Sequence, residues 1–500
     1  MIVAAHRRFV YQELLMLQLA LRMHRGQQKR AHAAPQIAVD ARLDARIRAR
    51  FPFEFTPAQR KVCGEIAADL ARPEPMNRLL QGDVGSGKTA VAIYAMLAAV
   101  ATPVRLGAGD APAEPASGEK PARYQAAIMA PTELLARQHF AGLERLLAGT
   151  GVEVQLLVGG QTGKQREKIL ERIAAGQTDI VVGTQALVCG GARFRHLGLV
   201  VIDEQHRFGV LQRAVLQQGE AEPHTLVMTA TPIPRTIAHA VYGDLDISVL
   251  DGKPPGRQPV ATYRVRPAEL DRWWDFFRGK LAAGRRGYVV VPAVEESKRE
   301  LASISSAFEE LANGPLEAFR LGLMHGRLKP AAKAGIMEDF RSGRLDVLVA
   351  TSVIEVGIDV PEATIMTILD AESFGLAQLH QLRGRVARGS TQGICGAVTP
   401  SGDEPHPRVD AFVASCDGFE LAEQDLRLRG PGDLVGTRQS GAPPLYLADL
   451  LRDGAVVAEA RRDALAIFEA DPELADPKYD RLRKLVIDRW GEMLGLGQVG

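Results

Sequence analysis

The sequence predicts an α/β fold: two parallel-sheet lobes in tandem, followed by a helical, hairpin-like segment and a helical C-terminal tail. Three observations carry this. Apolar, strand-like runs alternate with helical stretches at 126–130, 152–158, 179–182, 199–202 and 225–228, and again at 287–291, 320–324, 346–350, 365–369 and 393–398. Such alternation marks a parallel sheet covered by helices on both faces. Between the two series lies Asp251-Gly-Lys-Pro-Pro-Gly-Arg257, a linker by composition. Within the first series, Gly82-Asp83-Val84-Gly85-Ser86-Gly87-Lys88-Thr89 is a complete G-x-x-x-x-G-K-[ST] phosphate-binding loop.

Residues 6–25 are expected to form a helix, because Val10, Leu14, Leu17 and Leu21 make one apolar stripe. Residues 26–50 are basic and weakly patterned and read as a connector. The first 50 residues hold ten Lys/Arg against Glu13, Asp40 and Asp44, while the whole chain has a net charge of only +1. Nucleic-acid binding must therefore use local basic surfaces. Residues 51–250 make the first lobe. Its one interruption, 102–122, carries Pro103, Pro112, Pro115 and Pro121 with Gly107, Gly109 and Gly118, and reads as a disordered surface insertion. Residues 256–412 make the second lobe. Residues 413–445 are helical and charged, then glycine-rich, and 446–500 form the helical tail.

Other classes are disfavoured. No apolar run reaches transmembrane length, and the longest, 90–101, reads as a buried helix. Arg7, Arg8, Glu13 and Arg22 break any signal-peptide core. The cysteines (Cys63, Cys189, Cys395, Cys416) are scattered and form no C-x-x-C pair, so neither a zinc site nor a disulfide framework is readable and a reducing cytosol fits.

The chemistry follows from residue types. Gly82, Gly85 and Gly87 let the backbone turn and aim N–H groups at phosphate, and Asp83, Val84 and Ser86 complete the cradle. Lys88 reaches the β- and γ-phosphates. Thr89 offers a hydroxyl to Mg²⁺, and the helix that follows points its dipole at the same anions. Further on, Val200-Val-Ile-Asp203-Glu204-Gln-His206 is a buried-strand pattern ending in two carboxylates. Asp203 holds the Mg²⁺ shell and Glu204 orients and deprotonates the attacking water. Gln59, in Phe55-Thr-Pro-Ala-Gln59, can read a donor and an acceptor on an adenine edge and so select ATP. Thr132 and Thr184 stand at turns after strands, where they either contact a nucleic-acid phosphate or simply cap a helix. Thr229 and Thr231 follow another strand and are placed to bond the 203–206 strand end. In the second lobe, Arg385 and Arg388 share a helical face. They either reach across the cleft as arginine fingers or form a solvated basic face.

Jointly these residues resemble the RecG family of bacterial ATP-dependent DNA helicases, DExH motors of helicase superfamily 2. The matching strings are GDVGSGKT, MAPTELLARQH, DEQHRFGV, MTATPIPRT, LMHGRLK, IEVGIDVP and LAQLHQLRGRVARG. The most discriminating, residues 417–441 (DGFELAEQDLRLRGPGDLVGTRQSG), is similar to a translocation motif shared with the transcription-repair coupling factor Mfd. The resemblance spans about residues 6–480. It implies two RecA-like lobes, ATP and Mg²⁺, and a double-stranded-DNA translocase that remodels stalled forks and Holliday junctions in recombination and repair. It further implies a monomer of the bacterial cytosol and nucleoid, with double-stranded and branched DNA and a single-stranded-DNA-binding protein as partners, and no membrane. Carried over by motif, Lys88, Thr89, Asp203, Glu204, Arg385 and Arg388 serve ATP, joined by Gly357 and Asp359. His206 stands with Thr132, Thr184, Thr229 and Thr231 between nucleotide and DNA. Arg408, Arg429 and Gln439 couple hydrolysis to movement.

Two departures accompany the resemblance. Ala387 stands where the family usually has glycine, which adds one methyl. The family also carries an OB-type wedge domain before the lobes, whereas about 50 residues precede Phe51 here. The expectation is that the wedge is missing, that 1–50 is a remnant of its connecting helix, and that the Val10–Leu21 stripe is left exposed. Three rivals stand beside the leading reading. Mfd needs longer N-terminal domains, and an RNA helicase lacks the 417–441 string. The third is a wedge-less chain acting only as a DNA-stimulated ATPase or an ATP-gated DNA-binding module.

Overall fold

The computed structural model describes residues 2–31, 33–104, 122–184, 187, 191–203, 221–229, 245–252, 258–292, 297–351, 360–386, 391–402, 404–429, 445–449 and 452–494. The first sheet contains β1 (Asn77–Gly82), β2 (Gln125–Met129), β3 (Val154–Leu157), β4 (Ile180–Gly183), β5 (Leu197–Asp203), β6 (His224–Thr229) and β7 (Asp246–Leu250). Their order is β3-β4-β2-β5-β6-β1-β7, with every pairing parallel. The second contains β8 (Ala261–Val265), β9 (Arg286–Val290), β10 (Leu321–Met324), β11 (Val347–Ala350), β12 (Ala363–Ile368) and β13 (Ile394–Val398). Their order is β10-β11-β9-β12-β13-β8, again parallel throughout. Each lobe is thus built on an all-parallel sheet, as expected.

All ten strand-like runs are strands. β7 and β8 were not anticipated. Both are edge strands with mixed burial, so neither makes the continuous apolar run that marks a central parallel strand.

Helices cover the sheets because strands such as β2, β4 and β12 are buried along their whole length and need apolar cover on both faces. Around the first sheet lie α2 (Ala41–Arg48), α3 (Pro57–Leu70), α4 (Lys88–Ala101), α5 (Glu133–Leu147) and α6 (Gly163–Ala174). Around the second lie α7 (Leu270–Ala282), α8 (Ser297–Ala312), α9 (Pro330–Ser342), α10 (Leu376–Arg383) and α11 (Pro407–Ala414), followed by α12 (Gly418–Arg429). Residues 105–121 of the expected insertion lie outside the described residues. Its ends are drawn together, with Val104 N donating to Ala122 O at 2.8 Å and Tyr124 N to Thr102 O at 3.3 Å.

The chain's first helix, α1 (Ile2–Ala31), is longer than the 6–25 expected. Its stripe is not exposed: Val10, Leu14, Leu17 and Leu21 are at most 5% accessible. They pack against α13 (Gly454–Ala470) and α14 (Asp480–Leu494), touching a surface built from Val456, Val457, Ala460, Ala464, Val486 and Trp490. The expectation of an uncovered stripe is therefore corrected. The C-terminal tail supplies the missing apolar face, and the two ends of the chain fold as one three-helix bundle.

The connector after α1 is bolted to the first lobe. Ala34 N donates to Pro73 O and Ile37 N to Leu70 O, each at 2.8 Å, and Glu222 N donates to Ala33 O at 2.8 Å. His224, fully buried at the start of β6, receives Met76 N on Nδ1 at 3.0 Å and donates from Nε2 to Pro35 O at 2.6 Å. Burial pushes its pKa down to about 4, against the opposing pull of Pro35 O and Asp69. The native state thus resists a proton that the unfolded chain accepts near its ordinary value of 6.5. Stability from this residue is complete above about pH 6.5 and is lost as the pH falls towards 4. Acidification from pH 7 to 5 is expected to cost about 2 kcal/mol through this group alone. Urea denaturation at the two pH values checks it: His224→Gln should flatten that part of the pH dependence, and an unchanged slope would reject the assignment.

Candidate nucleotide-binding cleft

Strand order brings the carboxyl ends of β1, β2, β4, β5 and β6 to one edge of the first sheet, the edge at which open α/β sheets bind ligands. Gly82 ends β1 and opens the phosphate loop. Asp203 ends β5 in register with Met228 of β6, and Thr229 is in register with Gln81 of β1. The loop's last glycine, Gly87, has φ +88°, which favours glycine, and a Cβ there would lie 2.1 Å from Gln59 Nε2. Lys88 Nζ donates to Gly82 O at 2.7 Å and Asp83 O at 3.0 Å, so its ammonium lies inside the curve of the loop. Val84 N donates to Asp83 Oδ1 at 2.6 Å. Ser86 Oγ is buried without a hydrogen-bond partner among the described residues, and Thr89 is exposed at the start of α4. A cation, an unspent hydroxyl and a helix N-terminus around one turn fit a polyphosphate. Thr89 and Asp203 are the oxygen donors on hand for Mg²⁺.

Asp203 is held by a residue that sequence reasoning missed. His139 Nε2, on α5, donates to Asp203 Oδ2 at 2.8 Å. His139 belongs to the MAPTELLARQH string, two helical turns beyond Thr132, and that same-face spacing was the available signal. The bond fixes the Oδ2 oxygen of Asp203 at the end of β5. Gln59 braces the loop: Oε1 accepts from Thr56 N at 2.9 Å in a capping box, and Nε2 donates to Ser86 O at 3.1 Å. Its second N–H and second lone pair are the groups an adenine edge would use. Thr132 is the N-cap of α5, accepting from Leu135 N at 3.3 Å, and its hydroxyl proton is still available to donate. Thr184 follows β4 and accepts Leu187 N on its carbonyl at 2.9 Å, and Thr229 is buried. On the same lobe, a cavity of about 510 Å³ is lined by Arg137, Lys168 and Arg172 with Gln155, Gln161 and Gln165.

The second lobe meets the phosphate loop directly. Gly384, at the end of α10, lies so close to Val84 that a Cβ would be 2.7 Å from Val84 Cβ and Cγ1. Immediately before it, Arg383 donates from Nη2 to Nδ1 of His380, one turn earlier, at 3.0 Å. Arginine has no acceptor, so the His380 ring carries its proton on Nε2 and donates it to Asp83 Oδ1 across the cleft. Arg383 is buried. Its Nη1 donates to Phe412 O at 2.9 Å and Ser415 O at 2.7 Å, and its guanidinium lies 4.6 Å over the Phe412 ring. Burial lowers its pKa from the ordinary arginine value. A continuous polar path thus runs from the phosphate loop through His380 and Arg383 to the corner between α11 and α12. Arg385 is half-buried just beyond Gly384, and Arg408 is half-buried on α11. Arg429 ends α12. Glu204, His206, Thr231, Gly357, Asp359, Arg388 and Gln439 lie outside the described residues.

Three families match in chain order: the DEAD/DEAH box helicase at 56–240, the helicase conserved C-terminal domain at 275–390, and the C-terminal part of domain 3 of the ATP-dependent DNA helicase RecG at 415–489. The ATP-dependent DNA helicase RecG of Bacillus subtilis (strain 168) is 43% identical over 96% of this chain and 68% of its own length. That of Synechocystis sp. is 43% identical over 98% of this chain and 57% of its own length. A RecG bound to a three-way DNA junction superposes with a TM-score of 0.71 at 40% identity, over 91% of this chain and 57% of that one. The chain thus spans between about half and two thirds of the length of these relatives. Yeast Dbp5, at 17% identity and a TM-score of 0.53, shares the fold.

The contact at Gly384 gives a direct test. Gly384→Ala puts a methyl where Val84 already stands, and overpacking of this kind costs about 1–3 kcal/mol. Nucleotide turnover is expected to fall about tenfold or more while the melting of the lobes changes little. Adding Val84→Gly should restore part of the loss. Wild-type turnover in the single variant would show that the contact is dispensable.

Proposed function

Because the chain belongs to the RecG family of ATP-dependent DNA helicases, we propose that it is an ATP-driven motor that translocates on double-stranded DNA and remodels branched DNA such as stalled forks and Holliday junctions. The observation that carries the proposal is the approach of α10 to the phosphate loop, with Gly384 against Val84 and His380 on Asp83. A nucleotide held in the loop is thereby within reach of both lobes, as a motor requires.

The chain's residues take these roles. Lys88, already resting on the loop carbonyls, turns to the β- and γ-phosphates. Thr89 and Asp203 would hold Mg²⁺, which would supply charge neutralisation on the phosphate oxygens. His139 keeps Asp203 in place. Glu204 orients and deprotonates the attacking water, and Arg385 and Arg388 stabilise the charge that develops in the transition state. DNA lies along the first lobe's carboxyl edge, where Thr132 and Thr184 offer donors to the backbone. The Arg137–Lys168–Arg172 cavity adds sequence-independent phosphate contacts. Such contacts carry no branch information, so preference for a fork over linear duplex must come from elsewhere in the protein. Arg408, Arg429 and Gln439 convert nucleotide state into movement.

Phosphate release, measured without DNA and with single-stranded, linear duplex and three-way DNA, tests the proposal. Duplex and branched DNA should stimulate hydrolysis more than single strands. Glu204→Gln should abolish it while sparing ATP binding, and Arg388→Ala should lower kcat about 10³-fold with little change in Kd. Hydrolysis at the wild-type rate in Glu204→Gln would overturn the active-site assignment. Stimulated hydrolysis without displacement of a third strand from duplex DNA would favour an ATP-gated binding module instead.

A further inference from the structure

Where the three-helix bundle meets the first lobe, the chain gathers more positive charge than its own contacts use. Arg25 of α1 pairs with Asp246, the first residue of β7. Arg22 stands one turn earlier on the same face of α1. Arg461 reaches the junction from α13, which packs along α1. Arg22 and Arg461 are both half-buried, and neither has a hydrogen bond or an ion pair among the described residues. Arg22 Nε is wholly buried without a partner. Burial, and then the charges of Arg461 and Arg25, lower the Arg22 pKa from the ordinary arginine value, while Glu469 and Asp246 pull the other way. Burial likewise lowers that of Arg461, opposed by Asp246 and reinforced by Arg25.

Three guanidiniums therefore face two carboxylates, and one positive charge is left over. The apolar packing of α1 on α13 does not need it, since Leu17, Leu21 and Ala464 make that contact. A cation drawn partly out of water beside two others is unfavourable unless an anion joins it. The nucleotide does not supply that anion. β7 runs parallel to β1, with Leu250 level with Gly82 and Asp246 level with Arg78. Asp246 is thus at the amino edge of the sheet, about 13 Å along the strand from the phosphate loop.

The chemistry of the cluster selects its ligand. Each guanidinium fork matches two oxygens of a tetrahedral oxyanion, which is why arginine is favoured for phosphate. The single surplus charge matches a backbone phosphodiester, which carries one negative charge. A terminal phosphate carries about 1.5 to 2. We propose that Arg22, Arg25 and Arg461 bind a backbone phosphodiester of duplex DNA, at a site separate from the nucleotide cleft and from the carboxyl edge of the first sheet. Arg25, tied to Asp246, holds the geometry, while Arg22 and Arg461 bring the unpaired forks. The inference rests on the motor reading above for the presence of DNA, and it gives the first and last helices of the chain a part in holding it.

The test uses the full chain with Arg22→Gln and Arg461→Gln together, which leaves the Arg25–Asp246 pair in place. Duplex affinity at low salt should fall about tenfold or more, and the slope of log Kd against log salt should shrink by about 0.9, the loss of one neutralised phosphate. Lysine at both positions keeps the charges without the forks, so it should keep the slope and recover part of the affinity. ATP affinity and DNA-free hydrolysis should stay within about twofold of wild type. Without DNA, the melting temperature of the glutamine pair should stay level or rise, because two crowded cations are gone. An unchanged slope and affinity in that pair would overturn the proposal. If inorganic phosphate at constant ionic strength then raised the melting temperature of the wild type alone, the anion would be a free phosphate instead. A melting temperature that falls together with DNA binding would reduce the cluster to a structural tie and also overturn it. An unsubstituted chain that binds no duplex would sink the motor reading and this site with it, whereas binding without third-strand displacement would sink the motor reading and leave the site standing.

Discussion

Where Gly384 meets Val84, two separate sheets come to bear on the same phosphate loop. The approach is possible only because position 384 has no side chain. His380 then turns a steric contact into a polar one by donating to Asp83. Arg383 fixes the tautomer that makes this donation possible. The loop's own shape depends on similar economy: Gly87 takes a left-handed conformation against the Gln59 amide, which leaves Gln59 to brace Ser86. A change in what the loop holds is thus felt by α10 without any intervening flexible element.

The buried charges explain how such a change is carried further. Among the described residues, no carboxylate bonds Arg383 directly. Its charge is met by two carbonyls, an aromatic face and, through His380, the carboxylate of Asp83. Such a group is costly to leave unsatisfied, so the α11–α12 corner and the phosphate loop must shift together or break bonds. Glu13 obeys the same rule in the three-helix bundle, where a fully bonded carboxylate joins α1 to residues 446–448 and to Arg489.

Much of this was legible in the sequence. Central strands announced themselves because both faces are buried, and the phosphate loop because its glycines, lysine and threonine have fixed spacing. Edge strands β7 and β8 did not, since half-exposed edges lose the apolar run. The stripe on α1 was visible, but its partner was not: periodicity shows that a face is apolar, never which distant helix covers it. The polar partners were hidden for the same reason. His139 and His380 lie inside strings that were noticed for other residues, and only the fold brings them to Asp203 and Asp83. Glu13 read as one acidic residue in a basic segment, whereas its three backbone donors lie more than 430 positions away.

The central claim is that the lobes act on the nucleotide as a unit because His380 and Asp83 are joined. A double-mutant cycle on DNA-stimulated ATP turnover measures this directly, using Asp83→Asn, His380→Gln and the pair. Residues that work through one shared bond couple by about 0.5–3 kcal/mol, so the double variant should be no slower than the slower single variant. Losses that simply multiply, with no coupling between the two positions, would contradict the claim and leave the lobes as independent neighbours.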